Sequence, residues 1–166
     1  MILLLAALAV CLVFLWANTQ AIATSFKVEI LNGIHALGTT VVRGATTKDT
    51  IKAALYLASA TYNAGTTAYS ATGEVSGAGY SAGGVTVTNA TAPNSSGTTA
   101  FWTPSASIVY TSVTLTTAFD AVLLYNSTQS DKAIAVYTFG SQTITAGTFT
   151  LTMPTNDAST GLLRIA

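Results

Sequence analysis

Histidine and cysteine, the residues most often used as metal ligands and nucleophiles, each occur once in this 166-residue sequence. A metal site needs a cluster of His, Cys, Asp or Glu, and His35 and Cys11 lie in unlike contexts. Cys11 belongs to an apolar run, where it is typical of a small hydrophobic residue. His35 follows a turn-like stretch, and we interpret it as a structural histidine. A Ser-His-Asp triad is formally possible because serines are plentiful, but we do not expect a hydrolase.

Four carboxylates, Glu74, Asp120, Asp131 and Asp157, are the candidates for acid–base chemistry. Glycoside hydrolysis, for example, needs two carboxyl groups on either side of the scissile bond. Each of the four stands alone in the sequence, so only the tertiary structure could bring two of them together.

Two glycine-containing stretches can be compared with phosphate-binding loops. Residues 44–50 (GATTKDT) have a glycine and a lysine but lack the second glycine and the spacing of a P-loop. Residues 73–84 (GEVSGAGYSAGG) match a dinucleotide-binding loop only weakly, because no clear strand-turn-helix pattern surrounds them. We predict a long loop between Ser59 and Gly84, which includes this stretch and carries at most short edge strands. We expect no catalytic, cofactor-binding or metal-binding residues and no cofactor, and therefore a protein that is not an enzyme.

The composition indicates a subunit of an assembly. Charged residues make up 7% of the chain, against about 25% in an average soluble protein, and half of the residues are hydrophobic. Six basic and six acidic residues cancel to zero net charge and are scattered singly, so we expect no nucleic-acid partner. A protein without net charge lacks the self-repulsion that keeps soluble monomers apart.

The most unusual stretch is residues 1–16 (MILLLAALAVCLVFLW), an uninterrupted apolar run. It could be a signal peptide or short membrane anchor, an arm buried against a partner subunit, or an extension from a start codon assigned too early. The triplet Ala21-Ile22-Ala23 suits signal cleavage, but no Lys or Arg precedes the run. The run is also shorter than the roughly 20 residues that span a bilayer.

We therefore divide the chain into an apolar N-terminal arm or anchor, residues 1–25, and a single domain, residues 26–166. A membrane partner is expected only if residues 1–23 act as an anchor.

After Ser25, short segments rich in Val, Ile, Thr, Tyr and Phe alternate with Gly, Asn, Ser and Pro, which is typical of an all-β protein. We expect an antiparallel β-sandwich or jelly-roll-like domain. Residues 121–125 and 133–139 should pair as a central hairpin around a turn at residues 126–132. The predicted strands are residues 26–31, 50–57, 84–89, 99–102, 108–115, 118–125, 133–139, 142–145, 148–153 and 161–165.

Residues 47–60 are the one stretch where a helix competes with a strand. Ala, Leu and Lys favour a helix, and Thr47 or Asp49 could cap it. Alternate apolar residues also fit one face of a strand, and all neighbouring segments look like strands, so we favour a strand. A second loop is predicted at residues 93–97 (PNSSG).

Several blocks of the sequence, taken in order, resemble small virion structural proteins of tailed bacteriophages, of the capsid decoration or cement kind. The resemblance covers most of the chain after Phe26. The blocks are residues 50–56 (TIKAALY), 66–69 (TTAY), 73–84, 121–127 (AVLLYNS), 132–140 (KAIAVYTFG), 149–154 (FTLTMP) and 163–165 (LRI).

The resemblance implies a β-sandwich or jelly-roll-like virion component on the capsid surface, without catalytic residues. Its partners would be further copies of itself, with a trimer as one candidate, and the major capsid protein or other virion subunits. The apolar N-terminus favours a different function, a secreted or membrane-anchored pilin-like filament subunit at the cell surface. In that case residues 1–23 would form the core of the fibre.

Overall fold

The apolar and alternating segments of the sequence form β-strands in the computed structural model, which describes residues 20–23, 26, 30, 34–38, 48–88 and 91–166. Every element whose bounds are described is a strand. The strands are β1 (Gln20–Ile22), β2 (Ile51–Leu57), β3 (Val85–Thr86), β4 (Asn94–Ser96), β5 (Thr99–Trp102), β6 (Ile108–Asn126), β7 (Lys132–Leu151) and β8 (Leu163–Ile165).

The strands form two antiparallel sheets. The larger sheet has the order β1-β7-β6-β2-β3 and the smaller has the order β4-β5-β8. All neighbouring strands are antiparallel. The prediction of an essentially all-β protein is confirmed.

The long hairpin of β6 and β7 is the centre of the larger sheet. Ala121 lies opposite Thr138 and Tyr125 opposite Ala133, which confirms the predicted hairpin and its turn. The hairpin continues well beyond the predicted segments. The two predicted strands at residues 108–125 are one strand, and the three predicted at residues 133–153 are also one.

β-Bulges explain why the sequence pattern suggested separate strands. The register shifts at Ser112, which has a φ of 53°, and also between Leu115 and Phe119, across the gap between the strands predicted at residues 108–115 and 118–125. It shifts again between Val113 and Leu115, where the opposite strand contains Ala146 with a φ of 47°. Each extra residue reverses the side on which later side chains lie, so the period-two pattern is interrupted while the strand continues.

In the stretch at residues 47–60, where a helix competed with a strand, residues 51–57 form strand β2, as we favoured. It pairs with β6 on one side, where Ala53 faces Leu124, and with β3 on the other. Five of its seven residues are buried. A strand that is covered on both faces is expected to be continuously apolar rather than alternating.

Two predictions about local structure are wrong. Residues 26–31 were predicted as a strand, but Phe26 and Ile30, the two described residues of that segment, are helical. Phe26 is fully buried, and Ile30 is partly buried and packs against the core. Residues 93–97 were predicted as a loop but contain β4, whose exposed polar side chains gave no strand pattern. Backbone pairing with β5 holds β4 in place.

The two sheets contribute to one hydrophobic core. Trp102 of β5 and Leu163 of β8 belong to the same buried cluster as Leu55, Leu123 and other residues of the larger sheet. A hydrogen bond also links β7 to the residue before β8, since the Tyr137 hydroxyl donates to the Leu162 carbonyl oxygen at 2.8 Å. Residues 20–22, which lie within the predicted arm, pair with β7 at the edge of the larger sheet.

Candidate functional site

The glycine-rich loop, residues 73–84, packs closely on the larger sheet. A Cβ atom on Gly84, which has a φ of +69°, would overlap the carbonyl oxygen of Ala53 in β2. A Cβ on Gly77 would overlap the carbonyl oxygen of Thr114 in β6. These glycines are therefore required for close approach between two backbones, and the predicted long loop is tightly turned.

Glu74 is the acidic residue of this loop, and its carboxylate is bound by three donors. The Tyr69 hydroxyl donates to Oε2 at 2.7 Å, and the Tyr80 hydroxyl donates to Oε1 at 2.7 Å. The Gly83 backbone N–H also donates to Oε1 at 2.8 Å. Charge-assisted bonds of this kind are stronger than neutral ones, so Glu74 joins both ends of the loop.

Tyrosine hydroxyls fix the loop to the strands beneath it. The Tyr80 hydroxyl accepts a hydrogen bond from the Leu55 backbone N–H at 3.0 Å. The Tyr125 hydroxyl, from β6, donates to the Gly83 carbonyl oxygen at 2.7 Å, and the Tyr56 hydroxyl, from β2, donates to the Ser70 carbonyl oxygen at 2.7 Å. Loop and sheet are thus joined by side chains from both.

Burial raises the pKa of these phenols above the ordinary value of 10.0. It raises the pKa of Tyr125 to about 12, with smaller contributions from Asp131 and Glu74. Desolvation is also the largest cause at the other tyrosines, and at Tyr69 and Tyr80 the hydrogen bond to the Glu74 carboxylate adds to it. A neutral phenol donates hydrogen bonds and is a poor nucleophile or base at physiological pH. The pKa is raised in the same way at Tyr56, Tyr69, Tyr80, Tyr110 and Tyr137.

A second polar cluster lies at the turn of the long hairpin, around Asp49 and Asn126. Both residues are buried, and the Asn126 Nδ2 atom donates to Asp49 Oδ2 at 2.7 Å. The same Nδ2 atom lies 3.0 Å from His35 Nδ1. Because an amide nitrogen only donates, His35 Nδ1 is the acceptor in this contact. Asn126 Oδ1 accepts from the Thr128 and Gln129 backbone N–H groups, both at 3.1 Å.

This second cluster holds backbone segments together. Asp49 Oδ2 also accepts from the Ala36 backbone N–H at 3.1 Å, which links the segment containing His35 to the start of β2. Asn126 uses both amide hydrogens and its carbonyl oxygen. The hydrogen bond between Asp49 and Asn126 was not predicted from the sequence, because the two residues lie 77 positions apart. His35 Nδ1 contacts this network through Asn126 Nδ2, and its structural role stays a prediction.

The remaining candidate carboxylates lie in different local settings. Asp157 accepts from the Ser159 and Thr160 backbone N–H groups at 2.7 Å each, and these bonds together with the Thr160 hydroxyl lower its pKa. Asp120 is half-buried on β6, and Asp131 lies in the hairpin turn with a φ of 57°. Among the described residues, no group of three or more His, Cys, Asp or Glu side chains could hold a metal ion.

Ser81 lies at the centre of Gly79-Tyr80-Ser81-Ala82-Gly83, which has the Gly-x-Ser-x-Gly spacing of a nucleophile elbow. Such an elbow requires a sharp turn from a strand into a helix. Here Ser81 is exposed in a turn, and the two-residue strand β3 follows it instead of a helix. The motif therefore occurs without the structural setting that would make Ser81 a nucleophile.

Comparisons with known proteins give no relative: no family model matches the chain, and no curated protein and no solved structure matches it. In the described part of the chain, no helix has the length and apolar character needed to cross a membrane.

Proposed function

We propose that this chain is a non-enzymatic virion structural protein of a tailed phage, a capsid decoration or cement protein that binds the capsid lattice. One observation carries the non-enzymatic part of the proposal. Glu74 and the tyrosines around it join the glycine-rich loop to the sheet. Their hydrogen bonds stabilise the fold and present no activated group to a substrate.

The virion part of the proposal rests on the sequence blocks that resemble phage decoration proteins and on the composition. A surface whose polar groups are mainly Ser and Thr hydroxyls, on a chain with zero net charge, suits a subunit packed among other subunits. On β6 and β7 the exposed residues include Thr111, Thr116, Thr143 and Thr145. Such a surface offers hydrogen bonding without long-range charge repulsion.

The finer architecture is part of the proposal. We propose that the two sheets pack face to face as a β-sandwich of the jelly-roll-like kind. The shared core, to which Trp102 and Leu163 of the smaller sheet contribute, supports this arrangement. Copies of the chain would associate with one another and with the major capsid protein through apolar contact and strand edges.

The apolar N-terminal segment is, in this proposal, an arm that stays on the mature protein. The Ala23 backbone N–H donates to the Ile134 carbonyl oxygen at 3.2 Å, and Ala23 is fully buried. Cleavage after Ala23 would remove β1 from the sheet. Mass spectrometry of the mature protein should therefore detect peptides from residues 1–19, and a mature terminus at Thr24 would support a secreted protein instead.

The function is tested by purifying particles on a density gradient from the source that carries the gene. Quantitative mass spectrometry should detect the chain in the particle band at a constant ratio to the major capsid protein across the gradient. Recovery of the chain only in a membrane or extracellular filament fraction would contradict the proposal and favour the pilin-like subunit.

A further inference from the structure

The glycine-rich loop, residues 73–84, occupies the pairing edge of β2. One side of β2 pairs with β6 along its whole length, whereas β3 on the other side pairs with only two of its residues. The loop continues the pairing beyond those two residues. The Val75 N–H donates to the Leu55 carbonyl oxygen at 3.0 Å, and the Leu57 N–H donates to the Gly73 carbonyl oxygen at 2.9 Å.

Two tyrosine hydroxyls bond to β2 backbone groups that a neighbouring strand would otherwise pair. The Leu55 N–H donates to the Tyr80 hydroxyl at 3.0 Å, and the Ala53 carbonyl oxygen accepts from the Tyr110 hydroxyl at 2.9 Å. A phenol can fill both roles because its oxygen donates and accepts. The Tyr80 hydroxyl is itself held by Glu74, to which it donates at 2.7 Å. The edge is therefore covered by turns and side chains, and these can leave without breaking the pairing of β2 with β6.

The covered edge belongs to a strand that can pair with a copy of itself. Five of the seven residues of β2 are buried, and apolar strands with a free edge readily pair with other chains. A two-fold axis through Ala54 would place Leu55 of one copy opposite Ala53 of the other, in antiparallel register. Leu57 would lie opposite Ile51 in the same register. The residues whose backbone groups now bond to the loop would then bond to one another.

We propose that the glycine-rich loop is an autoinhibitory cover of the β2 edge, and that its release lets β2 pair with β2 of a second copy. Glu74 holds the cover in place, because it binds Tyr80 and Gly83. Gly84 lets the loop lie against β2, since a Cβ atom there would overlap the Ala53 carbonyl oxygen. The inference does not depend on the proposed function, because it concerns an edge that any subunit of this fold has to control.

The test compares variants that release the loop with variants that leave it in place. Glu74→Ala removes the acceptor that holds the loop, and Gly84→Ala forces the loop away from β2. Gly140→Ala, which meets no atom within 4 Å, is the matched glycine control. Leu163→Ala, at a buried position of the smaller sheet, destabilises the fold without touching the loop. If Glu74→Ala is insoluble, Tyr80→Phe replaces it, because it removes only one hydroxyl group.

Association of the full-length chain is measured by sedimentation velocity over a range of concentrations. We expect the loop variants to associate beyond the state of the unmodified chain, with a dissociation constant at least about tenfold lower. The two controls should behave like the unmodified chain. A general loss of stability would instead promote association in Leu163→Ala as strongly as in Glu74→Ala.

Two further measurements locate the contact. In dilute Glu74→Ala, the amides of Leu55 and Leu57 should exchange faster with solvent, and they should be protected again as the protein associates. Ala54→Cys, combined with Glu74→Ala and Cys11→Ser, should form a disulfide between two copies on mild oxidation. Opposite residues of paired antiparallel strands have Cα atoms about 4.5–5.5 Å apart, which suits such a bond.

Three outcomes would overturn the proposal. The first is that the loop variants associate no more than the unmodified chain at any concentration. The second is that Leu163→Ala associates as strongly as they do. The third is that the loop variants associate without a disulfide at Ala54→Cys and without renewed protection of the Leu55 amide, which would assign the contact to another surface.

Discussion

At the scale of single residues, Glu74 is the side chain on which most of the loop contacts converge. Replacing Glu74 with Ala leaves the Tyr69 and Tyr80 hydroxyls and the Gly83 N–H without their acceptor. We expect the free energy of unfolding, measured by urea titration, to fall by about 1–3 kcal/mol. Asp120→Ala, at another half-buried carboxylate, is the matched control. Equal losses in the two variants would show that the Glu74 contacts have no special role.

The tyrosines predict a specific response to alkaline pH. Their pKa values are raised in the folded protein, to about 12 for Tyr125, from an ordinary value of 10.0. Above pH 10 the unfolded chain therefore loses phenol protons that the folded chain keeps, so the contribution of these tyrosines to stability is constant below pH 10 and falls as the pH rises toward 12. Phenolate absorbance should appear together with the loss of β-sheet circular dichroism. Complete phenol ionisation in a chain that keeps its β-sheet signal would refute this explanation.

At the scale of elements, the central hairpin depends on a strand that is buried on both faces. Leu123 is fully buried in β6, so Leu123→Asp places an unpaired charge in the core at a cost of several kcal/mol. We expect the variant to be insoluble or unfolded by circular dichroism. Thr116→Asp, at an exposed position of the same strand, should fold normally. A Leu123→Asp protein that melts like the unmodified chain would place this strand outside the core.

The close approach of the loop to β2 can be tested by adding one methyl group. Gly84→Ala would overlap the Ala53 carbonyl oxygen and also place Ala at a φ of +69°. We expect a loss of more than about 1 kcal/mol in the free energy of unfolding. Gly140→Ala is the matched control, because a Cβ atom there meets no atom within 4 Å. If the two variants have the same thermal stability, the loop can move away from β2 at no cost.

The elements that could be predicted from the sequence are those with a local signal. β2 and the hairpin around the turn after Asn126 have continuous apolar segments and clear turn residues, and both are where the sequence placed them. The bulges at Ser112 and Ala146 could not be found, because serine and alanine rarely adopt a positive φ and do not mark a bulge in the sequence as glycine would. β4 has polar, exposed side chains and depends on its partner β5.

The polar clusters were less predictable than the strands. Glu74 and its tyrosines are near one another in sequence, but the contacts of Tyr80 with Leu55 and of Tyr125 with Gly83 require the folded sheet. Asp49 and Asn126 meet only when β2 pairs with β6. The contact between His35 and Asn126 could not be predicted, because the two residues lie 91 positions apart in the sequence.

At the scale of the whole molecule, two sheets share one core, and the surface contains few charges. Stability therefore comes from apolar burial and from the hydrogen bonds of the loop, and we propose that the surface remains available for association with other subunits. The predicted division into residues 1–25 and residues 26–166 stays a prediction. β1 lies before that boundary and pairs with β7.

The central claim is that the chain binds the capsid lattice of a phage particle. The direct measurement is cosedimentation of the purified full-length chain with particles assembled without it, from a phage whose own copy of the gene has been deleted. Liposomes are the parallel control. The proposal predicts saturable binding to particles at a fixed ratio to the major capsid protein, without pelleting on liposomes. Absence of binding to such particles, or pelleting on liposomes alone, would contradict it.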